Sequence, residues 1–200
     1  FLPKIVKLKL DSCIVKPCQK VEVEYWWKNV GGVCNKCYTV FIHFVPVDKT
    51  GEKAIVFGAD YKPFNPTPTW IPGEIIVEKH HFTVPASVKP GKYKMCIGMW
   101  CPVDGKRIKL ANPKLKEKGT KYRVCCIEVV DSSQSIKPRP LEVFFEKGIE
   151  KLPKEGTSQG IGSTGVVLVE KGIKIVLDSK RNYRLSELEY KGVKFRGHLF

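Results

Sequence analysis

The 200-residue sequence has no uninterrupted apolar run of about 18 residues, the length that a membrane-spanning helix requires. Neither a Ser, His and Asp arrangement nor a nucleophile elbow is recognisable in it. The glycine-rich stretch 156–165 has no lysine at the position that a phosphate-binding loop needs. We therefore expect no membrane span, no enzymatic activity and no cofactor.

Amides are scarce, with three Gln and five Asn, and arginine supplies only six of the 35 basic residues. Few thermolabile amides beside abundant Lys and Glu are typical of hyperthermophile proteins, so we expect a hyperthermophilic source. The formal net charge of +15 favours acidic partners such as anionic glycans. Because the basic residues are mostly Lys and do not cluster around aromatic residues, we expect no nucleic-acid partner.

Cysteine, in contrast, is abundant. Eight cysteines lie in the first two thirds of the chain: Cys13, Cys18, Cys34, Cys37, Cys96, Cys101, Cys125 and Cys126. An even number on a chain that begins with Phe1 predicts disulfides, and with them an extracellular or cell-surface location after signal-peptide removal. The expected bridges join Cys13 to Cys18 and Cys34 to Cys37, with Cys125 and Cys126 each bound to one of Cys96 and Cys101.

Zinc binding is the alternative for these cysteines, since Cys34-x-x-Cys37 is half of a zinc site. A clean second half is missing, because four residues rather than two separate Cys96 from Cys101. The four histidines have no ligand spacing either: His43, His80, His81 and His198. We therefore expect no metal.

Short runs of β-branched and aromatic residues, separated by turn signals such as Pro72-Gly73 and Pro90-Gly91, fill residues 1–130. This spacing predicts an all-β fold, an antiparallel β-sandwich. Residues at alternate strand positions share one face of a sheet. The expected core is Val21, Val23, Tyr25, Val40, Ile42, Phe44, Ile97, Met99, Ile127 and Val129.

The remaining residues predict a linker and an extension. Residues 131–140 are polar and then stiffened by proline, as linkers are, and 141–151 is ambiguous between strand and helix. Two hairpins with turns at Lys171-Gly172 and Lys191-Gly192 follow. The predicted organisation is a disulfide-stapled β-sandwich at 1–130, a linker at 131–140 and a β-hairpin extension at 141–200.

Two motifs are the most specific, the turn Trp70-Ile-Pro-Gly-Glu74 and the strand entry Pro90-Gly-Lys-Tyr93. With the ordered segments 21–27, 38–43, 48–51, 82–85 and 97–100, they resemble the immunoglobulin-like β-sandwich accessory domains of envelope glycosyltransferases and related archaeal and bacterial surface proteins. The resemblance covers about residues 15–130. It implies an extracytoplasmic module without an active site.

Three aromatic residues have expected positions. Tyr93 follows a Pro-Gly turn, so its hydroxyl is expected to bond back to the backbone of that corner. Trp70 precedes the other turn, where it could cover the end of a sheet. The alternative is that Trp70 and Trp100 form a platform for a glycan.

The termini suggest self-assembly. The N-terminal segment alternates Lys with apolar residues, so one face could fill a groove of a second copy as a donated strand. The expected interface consists of Phe1, Leu2, Ile5, Leu8, Leu10, Phe195 and Phe200. The predicted function is a structural subunit of an extracellular filament or cell-surface assembly. The alternative is a carbohydrate-binding accessory module of an envelope glycosyltransferase or a glycoside hydrolase.

Overall fold

The structure, a computed structural model, describes residues 1–148 and the backbone of four later strands. The chain divides into two compact units, Phe1–Glu150 and Lys151–Phe200. In the first unit the described helical segments are three single 3₁₀ turns, at Glu52–Ala54, Thr67–Thr69 and Pro113–Leu115. None of the described helices has the length and apolar character that crossing a membrane requires. The predicted all-β sandwich is confirmed.

Ten strands occur within residues 1–148. They are β1 (Pro3–Leu10), β2 (Ile14–Val15), β3 (Lys20–Asn29), β4 (Thr39–Pro46), β5 (Phe57–Gly58), β6 (Ile75–Thr83), β7 (Gly91–Trp100), β8 (Arg107–Ile108), β9 (Tyr122–Val129) and β10 (Leu141–Phe144). In β3, residues 20–25 alternate inward apolar side chains with outward polar ones, which is the pattern of a sheet that covers a core on one face.

The strands form two sheets. The first is an antiparallel four-stranded sheet in the order β10-β1-β3-β6. The second has the order β2-β9-β7-β4-β5, with β8 paired to β7. The short β2 lies parallel to β9, and the other pairs of this sheet are antiparallel.

The core lies between these sheets. All ten side chains predicted to be internal are at most 3% exposed, which confirms the predicted strand faces. The largest buried residues are aromatic, and Trp27 and Trp70 are among them. Phe44 and Phe57 stack at a ring distance of 4.1 Å between β4 and β5.

Two corner motifs have the predicted geometry. The Tyr93 hydroxyl donates to the carbonyl of Lys89 at 2.7 Å, as a tyrosine corner does. Gly73 has a φ of 89°, and the amide of Glu74 bonds to the carbonyl of Ile71 at 3.2 Å. A positive φ at this position is the reason a type II turn favours glycine.

The sandwich continues beyond residue 130, where the predicted domain ends. Leu141–Phe144 forms β10, which pairs with β1 from Leu10↔Leu141 to Lys7↔Phe144. Within the predicted linker, the backbone carbonyl of Arg139 accepts a hydrogen bond of 2.8 Å from the amide of Cys13, which lies just before β2. Without β10, the backbone N–H and C=O groups along one edge of β1 would have no strand partner, and β10 supplies that partner.

The second unit contains β11 (Gly165–Glu170), β12 (Ile173–Asp178), β13 (Arg184–Tyr190) and β14 (Val193–Phe195). They form an antiparallel sheet in chain order. β11 and β12 form one hairpin and β13 and β14 the other, with 171–172 and 191–192 between the strands. The two predicted hairpins are therefore present, and they join through β12 and β13.

Candidate functional site

On the outer face of the six-stranded sheet, the ring of Phe41 packs over Gly98 of the neighbouring strand. Gly98 lies opposite Phe41 in the register of β4 and β7. A Cβ atom at Gly98 would lie 2.5 Å from Phe41 Cε1 and 2.5 Å from the carbonyl oxygen of Thr120. Glycine inside a strand often marks such a close approach. The missing side chain leaves the space into which the Phe41 ring packs.

His43 and Arg107 extend this aromatic surface. The rings of Phe41 and His43 stack with centroids 4.9 Å apart. The Arg107 guanidinium lies 4.7 Å from the centroid of the Phe41 ring, a cation–π distance. Burial lowers the pKa of His43, so its imidazole is neutral at pH 7. Its Nδ1 atom is buried and has no hydrogen-bond partner among the described residues.

These side chains line one cavity of about 240 Å³, here called the aromatic groove. Its lining residues are Phe41, His43, Asp60, Trp100, Gly105 and Arg107. Phe41 is buried and forms the floor, Trp100 is half-buried, and Asp60 and Arg107 are exposed. One Asp60 carboxylate oxygen accepts the amide of Ile42 at 3.0 Å, which fixes that side chain beside the groove. The aromatic groove thus combines apolar rings with a carboxylate and a guanidinium.

A second cavity of about 290 Å³, here called the loop cavity, lies beside it, and Arg107 lines both. Loops at 50–52 and 117–121 cover the sheet here. Lys94 and Cys96 of β7 point into it from below, and both are buried. Burial raises the pKa of the Cys96 thiol to about 11, so the thiol is neutral and unreactive at pH 7.

Ion pairs hold the loops over this cavity. Arg107 Nη1 lies 2.7 Å from Glu52 Oε1, and Lys121 Nζ lies 3.1 Å from Glu52 Oε2. The hydrogen bond from Arg107 lowers the pKa of Glu52. Glu117 likewise lies between two cations, 3.1 Å from Lys94 Nζ and 3.4 Å from Arg123 Nε.

The two tryptophans predicted as a platform have different environments. Trp70 is 2% exposed, and its indole N–H donates to the carbonyl of Asn65 at 2.8 Å. It packs against Trp27 and the ring of Phe1, so it covers the end of the sandwich and cannot serve as a glycan platform. Trp100 is half-buried at the end of β7 and lines the aromatic groove.

All eight cysteines are free thiols in the structure, and none of the predicted bridges is formed. Cys125 lies opposite Met95 on β7, and Cys101 follows Met95 by six residues, which is roughly 20 Å along a strand. A bridge needs Cα atoms within about 7 Å, so the pairing with Cys101 was wrong. Cys96 faces the loop cavity, whereas the Cys125 sulfur lies 3.6 Å from the buried Met95 sulfur on the core side. These two thiols therefore point to opposite faces of the sheet.

The other cysteines differ in burial. Cys34 is buried with its Sγ 3.1 Å from the carbonyl oxygen of Lys36, while Cys37 is exposed. Cys13 is half-buried, Cys18 and Cys126 are exposed and Cys101 is buried. Among the described residues, no three His, Cys, Asp or Glu side chains are grouped as metal ligands would be.

Three of the five described residues of the predicted interface lie inside this chain's own sandwich. The buried ones are Ile5, Leu8 and Leu10, each fully covered because β1 lies between β10 and β3. Phe1 stacks on Tyr38 at 5.6 Å, and Leu2 is 38% exposed. Phe200 and the side chain of Phe195 lie outside the described residues.

Sequence reasoning missed Phe41, His43, Asp60 and Arg107 as groove residues. They come from two strands, β4 and β8, and a loop, and only the register of the folded sheet brings them together. One signal was present, since Gly98 interrupts the apolar run of β7. A glycine there indicates that something packs closely on the sheet.

No family model matches the chain, and no curated protein matches it. Six chains of solved structures match. One of them is the C-terminal domain of Wzt, with 13% sequence identity and a TM-score of 0.41. The match covers 68% of this chain and 84% of that domain.

Proposed function

We propose that the sandwich is a non-catalytic module that binds carbohydrate in the aromatic groove. The observation that carries this proposal is the convergence of Trp100, Phe41, His43, Asp60 and Arg107 on one cavity. Ligand sites are concave and mostly apolar, with a few polar groups that fix orientation. A sugar matches such a lining because it has an apolar C–H face and a rim of hydroxyl groups.

Each side chain has a role in this proposal. The half-buried Trp100 offers its ring to the C–H face of a sugar, while buried Phe41 and half-buried His43 form a rigid floor. Asp60 accepts hydrogen bonds from sugar hydroxyls with the carboxylate oxygen that does not bind Ile42. Arg107 donates to hydroxyl oxygens with the nitrogens that do not bind Glu52.

A glycan array tests this proposal, with the wild type compared to Trp100→Ala. Binding to a defined set of oligosaccharides is expected for the wild type, and its loss for the variant. Phe64→Ala is the matched control, since Phe64 is 87% exposed and does not line the aromatic groove. Absence of wild-type binding to every glycan would contradict the proposal.

Strand exchange between copies, in an extracellular filament or a surface assembly, is the second candidate. The position of β1 favours it, because both edges of this strand are paired and its apolar side chains are fully buried. A neighbour's β1 in the same place would reproduce all of these contacts, which makes such swapping a low-cost route to assembly. For both candidates we propose a location outside the cell or on its surface.

A further inference from the structure

The loop cavity has more cationic than anionic groups around it. Its described lining contains four cations, Lys94, Arg107, Lys118 and Lys121, but only two carboxylates, Glu52 and Glu117. Glu52 and Glu117 each bridge two cations, so each carboxylate charge is shared. Two positive charges are therefore uncompensated in a partly enclosed space, where charges are screened less than on an open surface.

Lys121 is the cation with the poorest environment. Its side chain is 9% exposed, and its Nζ atom is buried without a hydrogen-bond partner among the described residues. Its one close anionic neighbour in the described part of the chain is Glu52, at 3.1 Å, and Glu52 also pairs with Arg107. An ammonium has three donor hydrogens, and burial without acceptors is costly. An anion in the loop cavity would supply the missing acceptor.

We propose that the loop cavity is an anion subsite, which takes the carboxylate of an acidic sugar whose neighbouring unit lies in the aromatic groove. This inference rests on the proposed carbohydrate function. Arg107 links the two places because it lines both cavities. A carboxylate can accept hydrogen bonds from Lys121 and Arg107 together, and such charge-assisted bonds are strong. The preferred ligand is therefore a uronic-acid-containing oligosaccharide.

The decisive experiment compares trigalacturonate with its fully methyl-esterified form, which has the same rings without the charge. Titration calorimetry at low ionic strength is expected to give at least tenfold tighter binding of the acid. In Lys121→Gln this preference should fall below threefold. Lys114→Gln is the matched control, since it removes the same charge from an exposed lysine that lines neither cavity.

A second variant gives an effect of the opposite sign. Glu52→Gln removes the carboxylate that competes for Arg107 and Lys121, so it should bind the acid more tightly than the wild type does. Glu52 has a 56% exposed side chain, and its replacement leaves the sandwich core untouched. Unchanged or weaker binding of the acid by Glu52→Gln would overturn the anion subsite.

Failure of the subsite and failure of the proposed function give different results. If acid and ester bind equally and Trp100→Ala abolishes both, carbohydrate binding stands and the anion subsite is wrong. If neither sugar binds, sodium sulfate becomes the probe, with sodium chloride of equal ionic strength as reference. Thermal stabilisation by sulfate in the wild type but not in Lys121→Gln would support the subsite alone. Equal stabilisation of both proteins would overturn it.

Discussion

Asn112 hydrogen-bonds to both backbone groups of Ile5. The amide of Ile5 donates to Asn112 Oδ1 at 2.9 Å, and Asn112 Nδ2 donates to the carbonyl of Ile5 at 2.8 Å. The register of β1 against β3 shifts just after Ile5, which disrupts the regular ladder there. A buried side-chain amide thus replaces the partners that this bulge removes.

Asn112→Ala should destabilise the sandwich by about 2–4 kcal/mol, because it leaves a buried amide and a buried carbonyl of β1 without partners. Denaturant unfolding of the wild type and the variant measures this difference. Asn35→Ala, at an exposed position, should change stability little. A loss for Asn112→Ala as small as that of the control would mean that water satisfies the bulge.

Gly98→Ala should cost about 1–3 kcal/mol, since its Cβ would meet the Phe41 ring and the backbone of Thr120. The displaced ring would also deform the aromatic groove, so any glycan binding should weaken. Gly32→Ala is the control, because its Cβ would meet no atom within 4 Å. Equal stability of the two variants would show that Phe41 does not occupy the space over Gly98.

Glu78 should make stability depend on pH in the acid range. Its side chain is fully buried and accepts the backbone amides of Phe64 at 2.7 Å and Asn65 at 3.0 Å, with His80 Nε2 at 3.2 Å. Burial alone would raise the pKa of Glu78, but the hydrogen bonds from His80 and these amides outweigh it and lower the pKa.

A lowered folded-state pKa gives a stabilisation that is present above the unfolded value of about 4.3 and is lost as the pH falls below it. In Glu78→Gln the slope of stability against pH between about 5 and 2 should therefore be smaller. Glu74→Gln, at an exposed position, should keep the wild-type slope. Unfolding free energies measured across this range check the prediction, and parallel curves for wild type and Glu78→Gln would refute it.

Deletion of residues 1–10 should unfold the isolated sandwich. Ile5, Leu8 and Leu10 are fully buried, and truncating one such residue to Ala costs about 2–5 kcal/mol, against a typical total stability of about 5–15 kcal/mol. If the N-terminal strand served only to join copies, the same deletion would leave a folded monomer. Circular dichroism distinguishes the two expectations, and refolding by an added peptide of residues 1–10 would support strand exchange.

The strands and the core could be predicted because alternation is a local signal. The alternation of Val21, Val23 and Tyr25 with glutamates predicts that these three side chains face the core, and the pair Pro72-Gly73 predicts a turn. The pairing of Leu141–Phe144 with β1 could not be predicted, since it joins segments about 130 residues apart through an otherwise unpaired edge. Trp70 was ambiguous because only tertiary packing decides whether a turn-flanking ring is covered.

The aromatic groove was hidden for the same reason. Phe41 and His43 alternate with core residues along β4, so the sequence predicts that they lie on the outer face of the sheet. It does not predict which other side chains lie beside them there. Arg107 reaches Phe41 only because β8 pairs with the end of β7. Such a site depends on register between distant strands, which composition and periodicity do not specify.

The most direct test of the carbohydrate proposal is the dissociation constant of an array-selected oligosaccharide, measured by titration calorimetry for the wild type, Trp100→Ala and Phe64→Ala. A central tryptophan contributes about 2 kcal/mol or more to a binding site, so Trp100→Ala should weaken binding by roughly 30-fold or more. Phe64→Ala should bind as the wild type does. Equal affinity of Trp100→Ala and the wild type would contradict binding in the aromatic groove.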